Sequence, residues 1–142
     1  MRPALLVLVL SVLALPAFAQ ERSIEMRESL VSLARVLGES HALRQACERG
    51  EDQFWRSRMN RLVDTEQAEP ALEREMKDSF NAGFADARRL YPVCGDGTRR
   101  AQGAAAARGR DLALGLSQAK YRVTTVLPPE GAQDVTAEPA PR

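Results

Sequence analysis

The sequence predicts an all-α fold, a small antiparallel bundle of about four helices linked by a disulfide. Three observations predict it. Between Ser23 and Tyr121 apolar residues recur three and four positions apart instead of alternating. Clusters of Gly, Pro and Asp cut that stretch into four segments with short links. Two cysteines, Cys47 and Cys94, close the first and third segments. The expected organisation is a leader at 1–19, one helical domain at 20–122, and a Pro-rich disordered tail at 123–142.

The leader is expected from its three-part layout. Arg2 opens it, Leu5 to Leu15 is a nearly unbroken apolar run, and Ala17-Phe18-Ala19 offers small residues for a signal peptidase. Eleven residues at about 1.5 Å each reach roughly 17 Å, short of a hydrocarbon core of about 30 Å. The run therefore reads as a cleaved signal peptide, with export to a periplasm as the destination. No membrane span is expected downstream.

The first helix is expected from Ser23, with Ile24, Met26, Leu30, Leu33, Leu37, Leu43 and Cys47 along its apolar side. Gly38 is expected to bend or divide it, and Gly50 to stop it. The second helix is expected after Asp52 as N-cap, with Trp55, Met59, Leu62 and Val63 inward and an end near Gln67. The third opens at Pro70, a residue suited to the first turn, and carries Leu72, Met76, Phe80, Gly83, Ala87, Leu90 and Cys94 on one face. Gly83 between Phe80 and Phe84 predicts close approach of another helix. Glu73 and Lys77 are oriented for an i,i+4 pair. The fourth runs from about Thr98 to Tyr121, with a narrow waist at "GAAAARG" and a stripe of Leu112, Leu116 and Ala119. The β-branched run from Val123 to Leu127 reads as a short strand, and Pro128 to Arg142 as an unpaired terminus.

Alternating helix directions make the first and third helices run the same way, which puts Cys47 and Cys94 at one end of the bundle. In a square bundle those helices stand diagonally, so the bridge requires the chain to lean inward there. An oxidising compartment favours pairing of two lone cysteines. Closing a loop of about fifty residues adds roughly 4 kcal/mol in the chain-entropy model.

Composition bounds the function. The whole chain carries 20 basic and 19 acidic side chains. Loss of a leader containing Arg2 and no acid leaves the signs balanced. No nucleic-acid partner is expected, because such binders carry a basic excess. Neither C-x-x-C nor C-x-x-C-H occurs, and a single histidine, His41, with two distant cysteines makes a poor metal set. No catalytic residue, metal or cofactor is therefore assigned. His41 is expected on a helix flank, and Trp55 as a core anchor.

The words "LARVLGESHALRQAC", "FWRSRMNRLVDTE", "FNAGFADARRLYPVC" and "RGRDLALGLSQAKY" together resemble a family of small exported bacterial proteins of unknown function. The resemblance covers Ile24 to Tyr121 and rests on W-R-x-R-M, F-N-x-G-F and Y-x-x-C in combination. It implies an exported helical domain with both cysteines and Trp55 inside the shared pattern. It transfers no catalytic residue.

Two functions follow as expectations. The first is a non-enzymatic interaction or accessory module with Trp55, Arg56, Arg58, Asn81 and Phe84 as candidate surface and an envelope protein as the partner class. The second is a small-ligand binder or hydrolase-type enzyme with a carboxylate site between helices, drawn from Glu66, Glu73, Asp78 and Asp86.

Overall fold

The computed structural model describes residues 22–48 and 51–126. The expected leader, the stop at Gly50 and the segment 127–142 lie outside the described residues. Among those described, four helices follow one another: α1 (Ile24–Glu48), α2 (Phe54–Glu66), α3 (Pro70–Leu90) and α4 (Asp96–Val126).

Local chemistry places most of their ends. Asp52 Oδ1 accepts the Phe54 N–H at 3.1 Å, one position ahead of the cap residue Gln53, which makes no side-chain cap of its own. Gln67 ends α2 with φ at 46°, and the Gln67 and Ala68 N–H groups return to the Asp64 and Val63 carbonyls. That pairing satisfies carbonyls the helix end would leave open. Pro70 opens α3 in its first turn. Helix α4 begins at Asp96, with the Arg99 N–H bonded to the Gly95 carbonyl. It also continues through Val126, where the sequence suggested a strand. Each residue added to an established helix gains a hydrogen bond, whereas a lone strand has no ladder to join.

The arrangement differs from a square bundle. Helix α1 packs against all three others, and among the described residues no Cα of α4 comes within 8 Å of α2 or α3. Helices α1 and α3 are neighbours running in the same direction. Ser79 Oγ donates to the Val31 carbonyl at 2.9 Å, Arg35 pairs with Asp86, and Cys47 is bonded to Cys94 with Cα atoms 4.7 Å apart. The disulfide therefore joins adjacent helices, and no inward lean across a diagonal is needed. Helix α4 runs opposite to α1, held by Gln102 Nε2 to the Leu43 carbonyl at 3.1 Å and by Arg108 to Glu39.

Two glycines explain the closeness of α1 and α3. A Cβ on Gly38 would overlap the Phe80 carbonyl, and one on Gly83 would overlap the Arg35 carbonyl. Gly83 thus does what its position predicts. Gly38 does not divide α1, which is continuous from Ile24 to Glu48; it supplies the other half of the same contact.

The larger core cluster combines Leu30, Leu33 and Leu37 of α1 with Met59, Met76, Phe80 and Leu116 from the other helices. A smaller one gathers Val36, Ala42, Leu43, Ala87 and Ala105. Two residues expected inside are exposed, Ile24 at the first turn of α1 and Leu90 at the last turn of α3. Both lie at helix ends that no third helix covers among the described residues. Phe54 and Val93 are also exposed.

Candidate functional site

Because α2 and α4 both pack on α1 while their Cα atoms stay more than 8 Å apart, a groove remains between them. Its volume is about 610 Å³. Leu33, Val36 and Leu37 of α1 form its floor. Trp55 and Leu62 line the α2 side, and Ala105, Ala106, Gly109 and Ala113 line the α4 side. The small residues of "GAAAARG" therefore serve two purposes. Gly109 lets Val36 come close, since a Cβ there would meet Val36 Cγ1 at 3.3 Å. Their outer surfaces leave the wall of the groove low.

Trp55 marks one end. It is half-buried, packed against the larger core cluster on one side and lining the groove on the other. Its ring meets Phe54 edge-on at 5.0 Å. The opposite end lies toward Glu66 and Lys120, where Lys120 Nζ stands 2.7 Å from Glu66 Oε1. This ion pair ties the C-terminal turn of α2 to α4. From Trp55 to Thr65 the groove is roughly 15 Å long at the helical rise.

Its charge is one-sided. Arg58 and Arg61 line it from α2 and Arg110 from α4, and none of the described lining residues is acidic. Arg58 lies over the Phe54 ring at 5.0 Å, a cation–π contact, and forms no ion pair among the described residues. Arg61 has no acidic partner among the described residues. Arg110 meets Asp111 at 3.4 Å, and both are exposed, so that pair is worth little.

The five residues expected to form one surface are not brought together. Trp55 and Arg58 line the groove. Arg56 projects the other way, its guanidinium 6.0 Å from the Phe80 ring centroid. Asn81 is exposed on α3. Phe84 is half-buried against the smaller core cluster and 5.3 Å from the His41 ring. The α2 arginines do not pair with Glu66 or Asp86, because Lys120 holds the first and Arg35 and Arg89 hold the second. Arg61, Arg110 and the α4 wall are not among the residues expected from the sequence; the signal for the α4 residues is a small-residue run beside an arginine, which reads as packing alone, and Arg61 lies one turn beyond Arg58 on α2.

His41 is buried, contrary to a flank position. It sits between the rings of Phe80 and Phe84, with Nε2 3.2 Å from Gln45 Nε2. Its Nδ1 finds no hydrogen-bond partner among the described residues. Burial, helped by the charge of Arg56, holds its pKa below the usual histidine range.

The four candidate carboxylates also stand apart. Glu66 is paired with Lys120, Glu73 with Lys77 as its spacing predicts, and Asp86 with Arg35 and Arg89, while Asp78 is exposed. No group of three or more His, Cys, Asp or Glu side chains comes together among the described residues. Nor is any described helix long and apolar enough to cross a membrane.

Comparison with known proteins gives one family model, described as "Protein of unknown function (DUF2385)", which matches residues 26–121. No curated protein and no solved structure matches.

Proposed function

This chain belongs to that family of unknown function, and on that premise we propose that it is an exported, periplasmic interaction module that does no chemistry of its own and receives a partner between α2 and α4. The observation that carries the reading is the groove: apolar along its floor, with Trp55 at one end and three arginines, and no acid, among its described lining residues. An apolar cleft with a few placed charges is the usual form of a binding site. A half-buried tryptophan and arginines are the residue types that dominate binding energy at protein contacts. The apolar N-terminal run supports export, and the Cys47–Cys94 bond suits an oxidising compartment.

The test places a photo-reactive amino acid at Ala113, which lines the groove, or at Asn81 on α3 as the rival surface, in the full chain. The periplasmic fraction is irradiated, and intact mass reports whether residues 1–19 are gone. A discrete protein adduct from Ala113 and none from Asn81 is expected. Adducts from Asn81 alone, or a chain retained in the cytoplasm with its leader attached, refute the reading.

A further inference from the structure

We infer that the occupant of the α2–α4 groove is an acidic amphipathic helix from another protein, lying along α1 with carboxylates on its flanks. The inference rests on the reading above and adds the chemistry of the partner. Shape is the first argument. The groove is bounded by two helices that run in the same direction. At one end Trp55 shares a recess with Gln102 and Ala106 and with the charged Arg44 and Glu48, and at the other Glu66 meets Lys120. A gap flanked by helices and floored by Leu33, Val36 and Leu37 offers ridges and grooves into which another helix packs. About 15 Å accommodates some three turns, enough for apolar anchors at i, i+3, i+4 and i+7. Gly109 and Ala113 keep the α4 wall low, so the incoming backbone can come near.

Charge is the second argument. Arg58 and Arg61 line the groove from α2 and Arg110 from α4. Guanidinium groups on both sides of an apolar floor match acids on both sides of an apolar helix face. A single-headed amphiphile would need its cations gathered at one end of an enclosed slot. Complementary charge at such a rim selects partners and speeds encounter, with a strong dependence on salt.

Trp55 is the sole tryptophan of the chain and lines the groove, so its emission reports occupancy. The full chain is titrated with a synthetic 18-residue amphipathic peptide bearing Leu and Ala on one face and Glu beside it, with its Lys counterpart, and with sodium laurate. The acidic peptide should change Trp55 emission saturably and gain helical circular dichroism, while the Lys peptide does neither. Charge reversal of the exposed pair, Arg58→Glu with Arg61→Glu, should weaken binding roughly tenfold or more, while the loss of the Arg58–Phe54 contact lowers unfolding stability only slightly. Equal binding of both peptides, no binding of either, or acidic-peptide binding indifferent to the reversal overturns the inference. So does laurate binding in preference to peptide. So does a dimer abolished by the same reversal, which would make a second copy the occupant. A full chain with Glu130, Asp134 and Glu138 changed to Gln, if it alone admits the peptide, would make its own segment 127–142 the occupant. An Ala113 adduct alongside failure of the acidic peptide leaves the interaction reading standing and removes only the helix.

Discussion

Helix α1 shows two kinds of surface to its neighbours. Toward α3 it is locked: Gly38 and Gly83 bring backbone against backbone, and Cys47–Cys94 closes the end. Toward α2 and α4 a gap remains, with the buried side chains of Leu33, Val36 and Leu37 at its bottom. Small residues occur on both sides and do opposite things. Where a glycine faces a carbonyl, no side chain fits. On α4, a Cβ at Gly103 or Gly115 would meet nothing within 4 Å among the described residues. Close approach is therefore a property of the pair of helices and not of glycine itself.

The largest effect expected on this contrast comes from the disulfide. Changing Cys47 and Cys94 together to Ser should cost about 4 kcal/mol in urea unfolding, because the loop of 47 residues regains freedom in the unfolded chain. Amide exchange should then rise first in the last turns of α1 and α3, not in α4. Uniform acceleration would mean that the two sides are not distinct. Next come the glycines of the locked side. Gly38→Ala or Gly83→Ala should lose about 3 kcal/mol despite better helix propensity, since a backbone carbonyl has to move. A loss below that of an ordinary surface change would show that the helices can separate cheaply.

A pH effect should come from the same side. The folded pKa of His41 is lowered, so the neutral ring favours folding. Its contribution is complete above about 6.5, the unfolded value, and is lost as pH falls from there toward the folded value. The groups that face it or act on its charge are Arg56 and Asp52 of the α2 region, Gln45 of α1 and the rings of Phe80 and Phe84 on α3. The urea midpoint should be lower at pH 5.5 than at 7.5, and His41→Gln should flatten the difference. An unchanged slope in that variant would assign the effect elsewhere. The smallest change is expected on α4, where Gly103→Ala should gain up to about 1 kcal/mol, with no neighbour to displace. A loss there would show that the outer side of α4 is covered.

Helix spans were largely legible in the sequence because their signals are local. Pro70, the turn at Gln67 and the "CGDG" break act within a few residues of themselves. The disulfide was legible from the count of two cysteines together with the oxidising compartment that the N-terminal run leads one to expect. Gly38 was misread because a glycine that weakens a helix and a glycine that admits a neighbour look alike along the chain. Phe80, which occupies the space beside it, lies 42 positions further along the chain. His41 and Leu90 were misplaced for a related reason. Periodicity tells which face of a helix is apolar and is silent on whether another helix covers it. The candidate surface was half legible: Trp55 and Arg58 belong to the groove, but their partners across it, Gly109, Arg110 and Ala113, come from a run whose composition speaks of packing alone.

The sequence by itself determined four helices, their directions and the cysteine pair, because periodicity, end signals and sulfur chemistry act over short range. Tertiary structure alone decided that α1 lies at the centre, that α3 sits beside it, and that α2 and α4 stand apart. Those outcomes depend on how closely two backbones can approach, and that distance is set by side chains meeting from remote parts of the chain.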